Sequence, residues 1–461
     1  MFRQAIGIVC CLAGLPALAA AAQQITPSQI RELVGRVRPS LVAVQYTMDS
    51  EGGRREVIGQ GIVVGEEGLV MCSMAIFPLS VPDEQIKEVK VIVPTDEEHK
   101  EYDADFLGRD DRTELAFVKT RQKQNWPAIR FEDVPVDVAD TVISVGLLPR
   151  DAGYRAYFQE ATVSARIRGP VPYVLVNPAG LTIVGSPVFN VEGKAIGYVA
   201  NQQGQNPLLN PRRDALASLN PPPRFFVPAS DFLISLLDPP RGEPTKVPWL
   251  GAALAGLTKD VAGYYGLGNV PAVQVGEVIA GSPADRAGLK PGDKILKLNG
   301  RPLDRGDEPG EVASILLRQI RRLKVGQKIT LTVLRDKDAP PVEVPVILAE
   351  QPKQANLARR WYAEDLGMSM REVVFADTYA RRLPPDTRGV VVAFVRPASA
   401  ANSAGLRAGD LVTQLNREPV EGLDDFRQRY TEFRKSSPRE PVVLMVMRDQ
   451  RTEVIRIEPP Q

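Results

Sequence analysis

The chain is predicted to be mainly β: one long all-β region followed by two smaller α+β units. Two observations predict it. The first is a series of short β-branched runs separated by glycine and charged turns, from LVAVQY at Leu41 to KAIGYVA at Lys194. Short strands at this spacing indicate an antiparallel barrel or sandwich, and helical patterns are scarce between them. The second is an internal repeat. GSPADRAGLKPGDKILKLNGRPL (Gly281–Leu303) matches PASAANSAGLRAGDLVTQLNREPV (Pro397–Val420), with Gly288 and Gly405 lying 117 residues apart. A period that long describes two tandem domains, not a solenoid. At 461 residues, 44% hydrophobic and 25% charged, the chain is globular in composition and long enough for about three domains.

The first residues, MFRQAIGIVCCLAGLPALAAAAQQ, read as a secretory leader over 1–22. Arg3 is the charged end, Ala5 to Leu18 the apolar core, and alanines supply the cleavage site, after Ala19 or Ala22. A retained anchor is the alternative, but the apolar core is short for one. No later stretch is long and apolar enough to span a bilayer. An exported chain is expected, periplasmic or extracellular. There are 57 basic and 56 acidic residues, one of the basic ones being Arg3 in the leader. The mature chain is therefore neutral and offers no electrostatic case for nucleic acid or anionic membrane. Cys10 and Cys11 leave with the leader. Cys72 then stands alone in the apolar run LVMCSM, as a buried small hydrophobe rather than a nucleophile, and no internal disulfide is possible.

After the leader, Thr26 to Val37 opens with a capping threonine and repeats apolar residues at helical spacing. Strand-like runs follow to about residue 200. Asn201 to Arg224 is rich in Pro, Asn and Gln and reads as an insertion loop. FFVPASDFLISLL then supplies a strand and a helix. Asp238 to Pro248, DPPRGEPTKVP, is a linker by composition. Each repeat carries a helix: Glu311 to Leu323, with Val312, Ile315, Leu316 and Leu323 at helical spacing, and Leu423 to Phe433. A strand closes each, KITLTVLR and PVVLMVMR. The connector Ala349 to Arg360 is polar. In the repeated GD pair the aspartates, Asp293 and Asp410, are expected to pin a loop rather than react.

The pattern SPA..AGL..GD.I..LNG strongly resembles PDZ domains of the HtrA type. The stretch LTIVGSPVFN (Leu181–Asn190), followed by a turn and a strand, resembles the nucleophile loop of trypsin-like serine proteases of the HtrA/Deg family, GNSGGPLVN. The resemblance implies a chymotrypsin-like double β-barrel over 23–237 and PDZ domains over 249–351 and 361–459. It also implies, by family habit, a possible trimer. It further shows what is missing. Where the family has GYILTNNHVV this chain has GLVMCSMAIF, which puts Ala75 at the histidine. D..TDLAVLK becomes DDRTELAFVK, with Glu114 at the aspartate. Laying Pro187 on the family proline puts Val184 at the serine.

A serine protease needs a hydroxyl to attack, an imidazole to take its proton and a carboxylate to orient the imidazole. Glu114 is the mildest change, since a glutamate can orient an imidazole. Valine cannot attack and alanine cannot accept a proton. The one histidine, His99, lies in PTDEEHKEYDA, expected to be a solvated hairpin turn away from any cleft. One histidine and one mature cysteine supply no familiar zinc set, and no metal or cofactor is expected. The oxyanion site uses backbone N–H groups of the nucleophile and of the residue two before it, which here is Thr182 in place of glycine. Two rescues are conceivable. Ser186 lacks a positioned base, and a serine–lysine pair with Lys119 or Lys194 has nothing in the sequence to assemble it.

PDZ domains take an extended chain as an added strand, often holding its terminal carboxylate in a short loop. By resemblance that loop is Leu250, Gly251 and Ala252 in the first repeat and Leu366, Gly367 and Met368 in the second. The helix wall is Ile315 and Leu316, then Phe426 and Tyr430. For any one of these apolar residues, plain core is an equal reading. Three functions compete: a non-catalytic protein holding unfolded or C-terminal peptide segments, an active envelope endopeptidase, and a regulatory subunit acting on an active relative.

Overall fold

The computed structural model describes residues 25–459 except 52, 80, 96–98, 169–171, 178–179, 201–223, 243–244 and 307–310. The leader at 1–22 and nearly all of the 201–224 insertion lie outside the described residues. Helix α1 (Pro27–Val37) starts as its sequence requires. Thr26 and Gln29 form a reciprocal capping box, satisfying two N–H groups that the first turn leaves without partners.

Six strands then close a barrel: β1 (Leu41–Ser50), β2 (Gly53–Val63), β3 (Leu69–Ser73), β4 (Ile86–Val93), β5 (Lys100–Asp110) and β6 (Leu115–Thr120), in the order β1-β2-β3-β6-β5-β4. Six more close a second: β7 (Thr141–Leu147), β8 (Ala156–Arg168), β9 (Pro172–Val176), β10 (Pro187–Asn190), β11 (Ala195–Val199) and β12 (Arg224–Pro228), in the order β10-β11-β12-β9-β8-β7. Closure removes the unpaired edges that short alternating strands would otherwise expose. Each barrel has its own apolar interior, around Val44, Phe77 and Val91 in the first and Val142, Val188 and Phe226 in the second. A third cluster joins them, drawing Met71 and Phe117 from one barrel, Val145 and Tyr198 from the other, and Leu33 from α1. Helix α2 (Ala229–Leu237) follows the second barrel and buries Phe232 against Phe131 and Tyr198. The alternation read from the sequence therefore resolves as a double barrel.

The first repeat comprises β13 (Pro248–Trp249), β14 (Ala252–Gly256), α3 (Lys259–Tyr264), β15 (Val273–Val278), α4 (Pro283–Arg286), β16 (Lys294–Leu298), β17 (Arg301–Pro302), α5 (Glu311–Arg321), β18 (Lys328–Leu334), β19 (Val342–Ile347) and β20 (Ala349–Glu350). Its sheet runs β14-β15-β16-β18-β19, while β13 pairs separately with β20. The second comprises β21 (Arg360–Ala363), β22 (Met368–Glu372), α6 (Phe375–Arg381), β23 (Val390–Val395), α7 (Ala400–Ser403), β24 (Leu411–Leu415), β25 (Glu418–Pro419), α8 (Leu423–Ser436), β26 (Val442–Arg448) and β27 (Arg451–Ile457). Its sheet runs β21-β22-β23-β24-β26-β27. The two repeats thus differ at one edge. Strand β14 has no outer partner among the described residues, whereas β22 is flanked by β21.

The aspartates of the GD pairs are structural. Asp293 accepts from the Lys290 N–H, and Asp410 from the Arg407 N–H and from the Arg448 guanidinium. Cys72 is fully buried and free. Burial alone pushes its thiol far above the usual range, so it is unreactive near neutral pH.

Candidate functional site

Three loops carry the positions that the sequence singles out. Ala75 follows β3, Glu114 closes the β5–β6 turn, and Val184 precedes β10. The first two loops are tied by backbone, with the Met74 N–H donating to the Glu114 carbonyl at 3.0 Å. Ala75 is exposed, and its N–H is 3.3 Å from the Ser73 hydroxyl. The Glu114 backbone is left-handed at φ 59°, which fixes how its side chain leaves the turn. Burial pushes its carboxyl above the usual carboxylate range, while Arg321 and Arg318 pull the other way. The charged neighbours of this carboxyl are therefore guanidinium groups from α5, not an imidazole.

The Val184 loop is held at every turn. The Gly185 N–H donates to the Val199 carbonyl at 2.8 Å, and the Ser186 N–H to the Ile183 carbonyl at 3.2 Å. Gly185 has φ 88°, and a Cβ there would sit 3.0 Å from the Gln60 carbonyl oxygen, so glycine is required. Ser186 is fully buried. Its hydroxyl accepts from Gln60 Nε2 at 3.1 Å, and Gln60 Oε1 accepts from the Leu147 N–H at 2.7 Å. The serine is a tether between barrels with a neutral amide as its partner, not a base. Lys119 is paired with Glu67 at 2.9 Å and Lys194 with Glu192 at 3.0 Å, so neither serves Ser186. The Thr182 N–H, one of the two donors an oxyanion site would use, is spent on the Ser144 hydroxyl at 2.8 Å.

His99 corrects one expectation. It is half-buried, not solvated, with its ring edge-on to Tyr154 at 5.1 Å between centroids. It precedes β5, and the Glu114 turn follows that strand. The eleven residues of β5 lie between the two.

A polar network that the sequence reading did not single out underlies the Glu114 turn. Buried Asp110 takes a forked pair from Arg112 and a 2.8 Å hydrogen bond from the Ser235 hydroxyl on α2. Thr113 and Ser235 share a 2.7 Å hydroxyl contact, and the Tyr198 hydroxyl reaches the Thr113 carbonyl at 3.3 Å. Beside it, α5 of the first repeat docks on the barrels. Arg318 and Arg322 both contact the buried carboxylate of Asp231 on α2, and Arg321 donates to the Asp111 carbonyl at 3.2 Å. Ile315 and Arg318 share one face of α5, and Arg322 follows directly after its last residue, Arg321. The signal was present as the arginine cluster RQIRR, but nothing in the sequence named Asp231 as its partner.

The two loops proposed to hold a carboxylate are built alike. Gly251 has φ 81° and Gly367 φ 69°, and an added Cβ would lie 2.2 Å and 2.5 Å from the Ser282 and Ser399 Cβ atoms. In each, the carbonyls of Leu and Gly are bound by the next loop, at 2.9 Å from Ala284 and Ile279 and at 3.1 Å and 2.8 Å from Ala401 and Arg396. Ala252 and Met368 begin β14 and β22. Leu250, Leu316, Leu366 and Phe426 are buried core, Ile315 is half-buried, and Tyr430 places its hydroxyl 2.7 Å from Asp365.

The fold and these loops define a class: a trypsin-like double barrel carrying two PDZ domains. Sequence profiles agree, with a trypsin-like peptidase domain matching residues 59–197 and PDZ domains matching 274–335 and 365–458. In domain content and order the chain is similar to HtrA/DegP-type trypsin-like proteins that carry two PDZ domains. It is 29% identical over 337 residues to a probable periplasmic serine endoprotease, DegP-like, of Rhizobium meliloti, covering 70% of this chain and 62% of that protein. A relative of the same description in Chlamydia pneumoniae is 24% identical over 420 residues, covering 88% of this chain and 77% of its own length. Among solved structures, the HtrA-type protease AlgW with decapeptide matches at a TM-score of 0.51 and 19% identity, over 70% of this chain and 99% of that one.

Proposed function

We propose that this chain is an exported, non-catalytic member of its family that holds extended or C-terminal peptide segments through its PDZ domains. One observation carries the reading. By resemblance, the three positions that should attack, accept a proton and orient are Val184, Ala75 and Glu114, whose charged neighbours are arginines, and the Thr182 N–H is already bonded. Loss of single triad members costs several orders of magnitude in rate, and loss of base and nucleophile together leaves no proton path. What remains is two glycine loops with their carbonyls tied back, the arrangement by which backbone N–H groups are offered to an extended chain. An exported location rests on the leader-like start and on the periplasmic description of the relatives.

The names of the relatives favour a second reading, an active endopeptidase. Turnover of an unfolded protein substrate by purified mature chain separates the two. No cleavage is expected, and cleavage that disappears in Ser186→Ala would establish the endopeptidase. A regulatory subunit is distinguished from a free-standing binder by what a pull-down from the native envelope retains: an active relative in the first case, substrate chains in the second.

A further inference from the structure

The two PDZ domains differ in one respect that bears on which of them is open. In the second, β21 lies antiparallel along the outer edge of β22, pairing Arg360 with Arg371, Trp361 with Met370, Tyr362 with Ser369 and Ala363 with Met368. It occupies the space between β22 and α8. Trp361 packs on Tyr430 at 5.2 Å and on Phe426 at 6.0 Å between centroids. The last residue of the strand, Ala363, accepts from the Gly367 N–H at 2.9 Å, a donor of the loop expected to hold a terminal carboxylate. Both ends are anchored along α8. Arg359 pairs with Asp424 at 2.9 Å near the start of the helix, and Asp365 meets Tyr430 at 2.7 Å and Arg434 at 2.9 Å near its end. In the first domain β14 carries no such companion among the described residues.

We propose that Arg360–Ala363 is a built-in ligand that closes the second PDZ groove, leaving peptide capture to the first domain until the strap is displaced. The inference rests on the peptide-holding reading above. A strand added to a sheet edge is the PDZ binding mode itself, and here the chain supplies the strand. Only Glu364 to Gly367 separate the strap from the edge, so its effective concentration is on the order of millimolar. A free peptide at about 10 µM with the same intrinsic affinity is then outcompeted roughly 100-fold. Half-buried Arg360 of the strap has Glu51 and Glu84, from loops of the first barrel, among its charged neighbours.

The test uses the full mature chain and a pentapeptide of the sequence Arg359–Ala363 with a free carboxylate, its tryptophan replaced by a photo-crosslinking benzoylphenylalanine. Adducts are mapped by mass spectrometry. A triple variant, Trp361→Ala, Tyr362→Cys and Ser369→Cys, removes the aromatic anchor and allows the strap to be locked by oxidation and freed by reduction. Cys72 is buried and does not interfere. Adducts on β22 and α8 are expected to rise at least about ten-fold in the reduced variant over wild type and over the oxidised variant. Adducts on β14 and α5 are expected to be equal in all three. Wild-type adducts on β22 and α8 as abundant as in the reduced variant would overturn the strap and leave peptide capture standing. Adducts on β14 and α5 alone, in every form, would overturn it too, since the second groove would not be a peptide site. Adducts on neither domain would remove the peptide-holding function itself.

Discussion

Replacing Asp231 by asparagine tests how the first PDZ domain is fixed to the barrels. The carboxylate is about 2% exposed and contacts both Arg318 and Arg322, whose side chains are 18% and 28% exposed. Asparagine keeps the volume and one acceptor but removes the charge. Removing one partner from a buried ion pair costs about 3–5 kcal/mol, because the remaining charges stay desolvated. Here the molecule has an escape. Helix α5 can lift away and return its arginines to water, so the cost is capped by the docking energy. A loss of about 3 kcal/mol is roughly a 150-fold shift in the docking equilibrium. Energy transfer between dyes on Glu132→Cys and Lys337→Cys reports the separation. Wild type is expected to give one efficiency, and Asp231→Asn a second, lower one. The triple variant Asp231→Leu, Arg318→Met, Arg322→Leu should restore a single state, since apolar replacement of a buried ion cluster is near neutral. An unchanged single state in Asp231→Asn would refute the reasoning.

Three further outcomes follow from the same geometry. Ala75→His with Val184→Ser is expected to remain inactive on unfolded protein substrate, because the Thr182 N–H stays on Ser144; measurable turnover would contradict this. Gly146→Ala places a Cβ 2.7 Å from Ser186 Oγ and 2.9 Å from Thr182 Cβ, and should cost about 1–3 kcal/mol in a chemical melt. Glu114→Gln should gain stability over wild type as pH rises. A carboxyl raised on folding binds more protons folded than unfolded, so its contribution is present at low pH and lost as pH climbs through and above its ordinary value. Melting temperatures at about pH 4 and pH 7 read this; an equal difference at both would show the carboxyl is not raised.

Much of the fold was written in local pattern. The capping box at Thr26, the β-branched runs of the barrels and the repeated AGL..GD turn each determine their element through short-range physics. The turn that leads into β10 was also legible, because Gly185 supplies its left-handed backbone and Pro187 opens the strand. Other features were not, for one common reason. Asp231 with Arg318, Gln60 with Ser186, and Trp361 with Tyr430 are pairs separated by tens of residues or more, and single-chain periodicity carries no information about partners. His99 was misjudged on the same ground: its turn reads as polar, and only tertiary packing brings Tyr154 to its ring.

The central claim is that binding has outlived hydrolysis in this molecule. The most direct measurement is cleavage of a fluorescent unfolded protein by mature chain purified free of host proteases, run beside labelling by a fluorophosphonate. The account predicts no turnover and no labelled serine. Turnover accompanied by a label on Ser186 would contradict it.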